Sequence, residues 1–400
     1  MSGTGNTTIP TEPESRSSLA SSEGLVLALF LAWSAHQPER VGEAALFDPR
    51  APGPSVAGRE VPGGPARVHF LQILPGETID GGPLTGENIS QEQLEIDVVG
   101  EALRIRNVGR ALVRVNGTDL PRWQAVIAPP GTAVEVHGNC VLLVGVSPLS
   151  LPAPHPRLLP LHAFGQADRM GFAGESWRMH RLRGDVVIAA MAARHVLVTG
   201  ETGTGKELVA KGIHALSLRS REPFMTTNSS SFTQELAAYE LFGNAKNVPN
   251  VGTPAREGYF GHARGGTLFL DEMGIVLDVV QAPLLRALEG SYNRVGDPVA
   301  RPTECIVIVA TNLGPDSIKH DVLYRLGVRV ETPALRERRE DIALLVQMFL
   351  LRYADGNAAF EKALVKSDGT GRRTVAVDPS LVVNLLRSPL RGNVRELANI

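Results

Sequence analysis

Cysteine is scarce in this chain, which excludes two common ways of stabilising a fold. The 400 residues contain two cysteines, Cys140 and Cys305, far apart and each within an apolar run. They cannot form a disulfide framework or a cysteine-based zinc site, and a reducing cytoplasm is the simplest setting for them. We therefore expect a cytoplasmic protein.

A hydrophobic run long enough to cross a membrane is also missing. The stretch GLVLALFLAW, residues 24–33, is apolar, but it is about half as long as the ~20 residues that a spanning helix needs. It has no basic flank before it and no small-residue cleavage site after it, so it is not typical of an export signal. We predict a buried strand here and no membrane partner.

The chain has little net charge. Its formal net charge is -2, with 43% hydrophobic and 20% charged residues. Such a balance gives no general attraction to nucleic acid, so a DNA contact would need a local basic patch. The length favours two or three domains, each large enough to bury its own core.

The composition changes along the chain and predicts five segments. Residues 1–22, rich in Ser, Thr, Gly and Pro, indicate a disordered tail. Residues 23–147 contain short apolar runs broken by Gly, Pro and Asn-Gly, which favours an all-β sandwich or barrel. Residues 148–165 carry five prolines and predict a semi-rigid linker.

The remaining two segments have a different pattern. In residues 166–335 the apolar runs TLFLDE and CIVIVATN lack alternation, as in a parallel sheet that is covered on both faces. Residues 336–400 show helical patterns without a strand between them, which predicts a small and incomplete helical lid. The predicted fold is therefore multidomain, with a β-sandwich followed by an α/β P-loop domain.

The stretch GETGTGKE, residues 200–207, resembles a phosphate-binding loop but lacks its hydroxyl. Gly200, Gly205 and Lys206 fit the P-loop pattern, while Glu207 replaces the Ser or Thr that contacts magnesium. An apolar strand precedes the loop and a helical pattern begins at Lys206, so backbone N–H groups could cradle a phosphate. The alternative is an ordinary glycine-rich turn between a strand and a helix.

Two further strands end in polar residues. Asp271 and Glu272 close the run GGTLFLDE, and Thr311 and Asn312 close the run CIVIVATN. Acids at a strand end suit magnesium binding and polarisation of water, and Asn312 suits γ-phosphate sensing. The alternative is a pair of solvated acids, but the three strand ends together predict a nucleoside triphosphatase.

Six blocks resemble a known family. In order they are GETGTGKE, ELFG, GGTLFLDE, ATN, LRERREDI and GNVREL. Together they resemble the AAA+ domain of sigma-54-dependent transcription activators (bacterial enhancer-binding proteins), over about residues 164–400. In that family Glu commonly follows the P-loop lysine, so Glu207 is a signature of the family.

The resemblance implies roles for individual residues. Asp271 would associate with Mg²⁺, Glu272 would activate water, and Asn228 would restrain Glu272 until the γ-phosphate is sensed. Arg325 would be an arginine finger that reaches the ATP of a neighbouring subunit, in a ring-shaped homo-oligomer of the hexamer type. Residues 172–174 would lie near the adenine. The implied ATP-binding residues are Gly200, Glu201, Thr202, Gly203, Thr204, Gly205, Lys206, Glu207 and Arg395.

The N-terminal segment resembles a forkhead-associated (FHA) domain, a β-sandwich that reads phosphothreonine. The matching stretches are GRE (58–60), ISQEQLEI (89–96) and RIRNVGRALVRVNGT (104–118). The resemblance places Arg59, Ser90 and Asn116 at the phosphopeptide site. The usual Ser-Arg-x-x-His reads SQEQ from Ser90 onward, which removes a positive partner and adds Glu92. Binding of a phosphothreonine protein therefore stays open.

The chain also departs from the first family. Lys319 replaces the arginine six residues before Arg325, and Leu390-Arg391 replaces the usual Trp-Pro. Residues 247–252 read NVPNVG where relatives carry GAFTGA, the loop that touches sigma-54. Pro249 takes the place of the aromatic residue and offers no ring for packing. Contact with sigma-54 RNA polymerase is therefore doubtful.

Two functions remain open from the sequence. One is an ATPase that remodels a transcription complex, and the other is a nucleotide-gated interaction module that does not activate sigma-54 polymerase. The sequence ends at Ile400, where relatives continue into a helix-turn-helix, so we expect no DNA-binding domain in the chain as given.

Overall fold

The computed structural model describes residues 24–50, 54–60, 67–86, 88–229, 232–233, 235–273, 277–312, 320–367 and 373–400. Three sequence features lie outside the described residues. They are the predicted tail at 1–22, Lys319, and most of the polar stretch SDGTGRR.

The N-terminal part consists of two antiparallel sheets. The larger has the strand order β5-β4-β2-β1-β12-β11-β8-β9, and the smaller has the order β10-β7-β6-β3. The predicted β-rich segment is thus confirmed, and the apolar stretch at 24–33 forms the central strand β1. The strands are β1 (Leu25–Ser34), β2 (Ala44–Phe47), β3 (Ser55–Ala57), β4 (Leu71–Leu74), β5 (Glu77–Asp80), β6 (Leu94–Val99), β7 (Ala102–Asn107), β8 (Val113–Val115), β9 (Thr118–Leu120), β10 (Ala125–Ala128), β11 (Ala133–Val136) and β12 (Cys140–Pro148).

The segment 148–165 contacts both of its neighbours. Leu151 pairs with Pro75 at the edge of the larger sheet, and its carbonyl accepts the N–H of Gly76 at 3.1 Å. Farther along, the Arg157 guanidinium donates to the carbonyl of Leu216 in the α/β domain. The proline-rich segment is therefore held against the two domains that it joins.

The α/β domain contains a five-stranded parallel sheet with the order β14-β17-β20-β13-β21. Both faces are covered: Val196 and Val198 belong to the cluster on one side and Leu197 to the cluster on the other. This confirms the α/β prediction and explains the apolar runs without alternation. The elements are α1 (Trp177–Ala192), β13 (Val196–Thr199), α2 (Lys206–Leu216), β14 (Phe224–Asn228), α3 (Ala237–Phe242), β15 (Gly243–Asn244), β16 (Arg256–Glu257), α4 (Tyr259–His262), β17 (Thr267–Asp271), α5 (Leu277–Leu288), β18 (Ser291–Asn293), β19 (Ala300–Pro302), β20 (Ile306–Thr311), α6 (His320–Arg325) and β21 (Val328–Glu331).

The C-terminal lid is mostly helical and includes a hairpin. Its elements are α7 (Ile342–Asp355), α8 (Ala358–Leu364), β22 (Val365–Ser367), β23 (Arg373–Val375), α9 (Pro379–Arg387) and α10 (Asn393–Leu397). The helical patterns predicted no strand between the lid helices, so the hairpin corrects that prediction, and they did not indicate α8, which buries none of its residues. Across the described ranges, no helix has the length and apolarity that crossing a bilayer requires.

The sandwich packs directly on the lid. Leu29 of β1 points into the core between the two sheets, whereas Ala28 and Phe30 belong to a second cluster. That cluster also contains Leu344 of α7 and Leu386 of α9. One face of the larger sheet is therefore buried against the lid, and this explains why β1 is apolar on both faces.

Candidate nucleotide-binding site

The P-loop lies between β13 and α2. The ammonium of Lys206, at the first position of α2, donates to the carbonyls of Gly200 at 2.9 Å and Glu201 at 3.0 Å. Burial lowers the pKa of Lys206, while the carboxylates of Asp271 and Glu272 act in the opposite direction. The loop thus presents a cation and a helix N-terminus, which together suit a phosphate.

A side chain that the sequence analysis missed supports this loop. The hydroxyl of Thr332 lies 2.7 Å from the hydroxyl of Thr204, and it donates to the carbonyl of Thr199 at 3.1 Å. A Cβ on Gly200 would clash with Thr332, so the loop backbone passes close to this residue. Thr332 directly follows β21, so its place at a strand end was the available signal.

The carboxyl edge of the sheet brings together the predicted acids and Asn228. Asn228 at the end of β14 is in register with Asp271 at the end of β17. The Asn228 amide donates to Glu272 at 3.2 Å, and Asp271 accepts the N–H of Glu272 at 2.9 Å. Glu272 has a φ of 54°, a conformation that is unusual for glutamate. The predicted pair of Asn228 and Glu272 is therefore present as a contact.

A cleft of about 350 Å³ joins the P-loop, the strand ends and the lid. Its lining includes most of the predicted nucleotide residues together with Val394 next to the lid arginine. The lining residues from these three parts are Thr202, Gly203, Gly205, Lys206, Glu207, Asp271, Glu272, Asn312, Phe349, Val394, Arg395 and Ala398, and Leu208 and Lys211 of α2 complete the lining.

A second cavity of about 140 Å³ lies beside the P-loop. Phe172 and Ala173 line it together with Thr204 and Gly205. The expectation that residues 172–174 lie near an adenine stays a prediction. A larger cleft of about 760 Å³ lies between the proline-rich segment and α1, and neither the P-loop nor the strand-end acids line it.

Buried polar contacts fix the segment before α1. The carboxylate of Asp341 accepts the N–H of Glu175 at 2.7 Å and the hydroxyl of Ser176 at 2.6 Å. Burial alone would raise the pKa of Glu175, but the hydrogen bond to His162 and the nearby His180 ring lower it to about 2. These contacts connect the wall of the second cavity to the start of the lid, and the sequence did not reveal them.

The lid contacts the P-loop through the first turn of helix α10. The N–H of Val394 donates to the carbonyl of Gly203 at 3.1 Å. Glu201 accepts the amide of Asn393 at 3.1 Å and forms an ion pair with Arg336. The hydrogen bond from Arg336 lowers the pKa of Glu201. Sequence reasoning missed Asn393 and Arg336, although Asn393 lies within the block GNVREL.

Two predicted residues form ion pairs with neighbouring side chains. Glu207 lines the cleft, and its carboxylate pairs at 2.7 Å with Lys211, which lines the cleft as well. Arg325 at the end of α6 pairs with Glu289 at 2.6 Å and does not line the cleft among the described residues. Its role as a finger towards a neighbouring subunit stays a prediction.

The residues at the strand ends fit a magnesium ion. Such an ion would be held by the Asp271 carboxylate and the nucleotide. Within the described ranges, no larger metal site, built from three or more His, Cys, Asp or Glu side chains, is found. Magnesium is usually bound through one or two carboxylates plus phosphate oxygens. One oxygen of Asp271 accepts the N–H of Glu272, so Asp271 can offer its other oxygen to such an ion.

Two of the three predicted phosphopeptide residues contact each other, and the third has another hydrogen-bond partner. The N–H of Arg59 donates to the carbonyl of Ser90 at 3.1 Å, so these two residues lie together. Asn116 lies in the turn between β8 and β9, where its side chain accepts the N–H of Ala133 at 3.0 Å. Buried Gln93 accepts the N–H of Ser90 at 3.2 Å and so organises the loop.

The loop at 247–252 is closed by its own hydrogen bonds. Asn247 donates its N–H to the carbonyl of Thr253 at 2.8 Å and accepts the N–H of Gly252 at 3.0 Å. The amide of buried Asn244 donates to the carbonyl of Val248 at 3.0 Å. Val251 is 96% exposed at the tip.

Comparison with known proteins shows what this domain is similar to. Residues 172–330 match the family model of the sigma-54 interaction domain. The matched range includes the P-loop, both strand-end sites and Arg325. Lid residues such as Asn393 lie beyond the matched range.

Curated proteins similar to this chain carry the names of transcriptional regulators. The chain is 37% identical over 241 residues to transcriptional regulatory protein ZraR of Escherichia coli (strain K12). The aligned region covers 58% of this chain and 52% of the relative. It is 36% identical over 242 residues to the Nif-specific regulatory protein of Bradyrhizobium diazoefficiens, covering 58% and 39%. The chain therefore matches about half the length, or less, of these relatives.

A solved structure shows a similar region. NtrX from Brucella abortus in complex with ADP is 31% identical, with a TM-score of 0.49, and the match covers 58% of this chain and 50% of that one.

Proposed function

We propose that the chain binds ATP with Mg²⁺ in the cleft and hydrolyses it, as the cytoplasmic motor part of a regulator of the sigma-54 activator type. The observation that carries this proposal is the convergence of Lys206, Asp271, Glu272, Asn312 and Arg395 on one cleft. These residues come from the P-loop, two strand ends and the lid, so the arrangement depends on the whole α/β fold.

The side chains support a division of roles. Lys206 and the backbone N–H groups at the start of α2 bind the phosphates, and Asp271 holds the magnesium ion, which supplies charge neutralisation on the phosphates. Glu272 orients and activates a water molecule as general base. Asn228 restrains Glu272 through the 3.2 Å hydrogen bond, and Asn312 senses the γ-phosphate.

A neighbouring subunit completes the site in this proposal. Arg325 lies outside the cleft of its own chain and is about half exposed. An arginine at a subunit boundary can reach the phosphates of a neighbour and stabilise the charge of the transition state. We therefore propose a ring-shaped homo-oligomer of the hexamer type.

The loop at 247–252 favours a second candidate function. Its tip carries Pro249 and Asn250 where relatives present an aromatic residue and threonine, and internal hydrogen bonds hold it closed. We infer that the ATPase does not activate sigma-54 polymerase through this loop and acts on another protein. A stable complex with sigma-54 in the presence of an ATP transition-state analogue would contradict this inference.

The sandwich is the proposed sensory domain. Its two antiparallel sheets and the contact between Arg59 and Ser90 support an FHA-like fold. Asn116 bonds elsewhere, and Glu92 lies in the loop, 3.6 Å from Arg67. We therefore propose a protein-interaction domain, with phosphothreonine recognition to be tested with a phosphothreonine peptide and its unphosphorylated copy.

The central test is nucleotide binding by the full chain. Lys206→Ala should abolish binding of a fluorescent ATP analogue, because it removes the cation at the helix N-terminus. Lys362→Ala on exposed α8 is the matched control and should bind as the wild type does. Equal binding by the Lys206→Ala and wild-type proteins would refute the proposed site.

A further inference from the structure

Asn393 joins three parts of the molecule through one side chain. It is 1% exposed at the first position of α10. Its amide nitrogen donates to the Glu201 carboxylate at 3.1 Å and to the Thr202 carbonyl at 3.0 Å. Its amide oxygen accepts the N–H of Leu335 at 2.7 Å. From its place at the start of α10, the side chain thus binds both the P-loop and the turn before the lid.

The backbone at this position also suits asparagine. Asn393 has a φ of 55°, in the left-handed region that asparagine tolerates better than most residues. The next N–H, from Val394, donates to Gly203 of the P-loop. A Cβ on Gly203 would clash with the carbonyl of Gly392, so the two backbones are in close contact here.

A second side chain, Arg336, also binds the Glu201 carboxylate that accepts from Asn393. Arg336 forms an ion pair with Glu201 and lowers its pKa, which keeps the carboxylate ionised. Hydrogen bonds to an ionised acceptor are stronger than those between neutral groups. Asn393 therefore donates to an acceptor that is fixed and charged.

We propose that Asn393 is a positioning residue that holds the lid on the P-loop and so places Arg395 over the nucleotide. Arg395 is two residues farther along α10 and lines the same cleft as Lys206. Without the Asn393 side chain, the start of α10 loses its contacts to Glu201 and Thr202, and Arg395 moves with it. The inference rests on the proposed ATP site.

The first experiment tests the contact without nucleotide. Asn393→Gly removes the side chain and keeps the left-handed backbone accessible. Amide hydrogen exchange of the free full chain should become faster in residues 200–205 and 393–397. Asn399→Gly, at an exposed position six residues away, is the matched control and should exchange as the wild type does. Unchanged exchange in Asn393→Gly would overturn the proposal.

The second experiment tests the consequence for ATP. Asn393→Gly should raise KM for ATP by about tenfold, the effect of losing hydrogen bonds to a charged partner. Arg395→Ala should have a similar effect, and the double variant should be no worse than either single one. A wild-type KM in Asn393→Gly, or effects that add in the double variant, would contradict the positioning role.

If Asn393→Gly does not fold, a second pair of variants tests the same contact by moving the negative charge from Glu201 to position 393. Asn393→Asp places a carboxylate against Glu201, so KM should rise. Adding Glu201→Gln restores one donor and one acceptor, so KM should recover in part, whereas Glu201→Gln alone should not improve on the wild type. No recovery would overturn the proposal.

A wild-type chain that binds no ATP would refute the proposed function. Hydrogen exchange would still decide whether Asn393 holds the lid on the P-loop.

Discussion

The indole N–H of Trp33 donates to the backbone carbonyl of Val377 at 2.9 Å. Trp33 belongs to the central strand of the sandwich, and Val377 precedes α9 of the lid. The bond lies at the edge of the apolar cluster that the two domains share. The sandwich is therefore part of the support of the lid, which in turn covers the P-loop.

Trp33→Phe should lower the free energy of unfolding by about 1 kcal/mol, because it removes this hydrogen bond while an aromatic ring remains. The measurement is denaturant unfolding of the full chain. Trp123→Phe is the matched control, since Trp123 is 57% exposed, and it should change stability by less than about 0.5 kcal/mol. Equal effects of the two substitutions would show that the sandwich contact does not support the lid.

Glu272→Gln should retain ATP binding and lower turnover by about 10² or more, as expected when a general base is lost. Turnover and binding of a fluorescent ATP analogue are measured on the same preparation. Glu222→Gln, at an exposed position away from the cleft, is the control. Unchanged turnover in Glu272→Gln would remove Glu272 from the mechanism.

Arg325→Ala should lower turnover by about 10³ and leave ATP affinity nearly unchanged, in the range of arginine fingers. Turnover is measured against protein concentration, because a finger that acts on a neighbour requires association. Mixing Arg325→Ala with Lys206→Ala chains should restore part of the activity, since one chain supplies the finger and the other the nucleotide site.

Glu289→Gln is the companion variant for Arg325. It weakens the ion pair between these residues in the same chain, so turnover should stay at the wild-type level or rise. Loss of activity in Glu289→Gln, or no rescue in mixtures of associated chains, would contradict the finger role.

The stability of the chain should fall as the pH drops below neutral, in part through His180. Burial lowers the pKa of His180, although the Glu175 carboxylate, 3.2 Å from its Nε2 atom, opposes this. The folded state then binds a proton less readily than the unfolded state, so the contribution is full above about pH 6.5 and is lost as the pH falls through the folded pKa.

The thermal unfolding midpoint of His180→Gln should therefore fall less between pH 7 and pH 5 than that of the wild type. His262→Gln, at an exposed position, is the control. Glu175 adds a second loss at lower pH, because its pKa is lowered from 4.5 to about 2 and its stabilisation disappears across that interval. Parallel curves for His180→Gln and the wild type would exclude His180 as a source of the pH dependence.

The sequence by itself determined the features that depend on neighbouring residues. The strand, the glycine turn and the helix at Lys206 are adjacent in the chain, so their order was sufficient to predict a P-loop. Apolar runs without alternation predicted strands covered on both faces, and polar residues at their ends predicted Asp271, Glu272 and Asn312 at one edge.

Only the tertiary structure decided which distant groups meet. Trp33 and Val377 are 344 residues apart, and Asn393 and Glu201 are 192 apart. The apolar pattern of β1 showed that both of its faces are buried, but a period of two residues carries no information about the partner on each face. That partner is set by how whole surfaces fit together, and for this chain one of them is the lid that covers the P-loop.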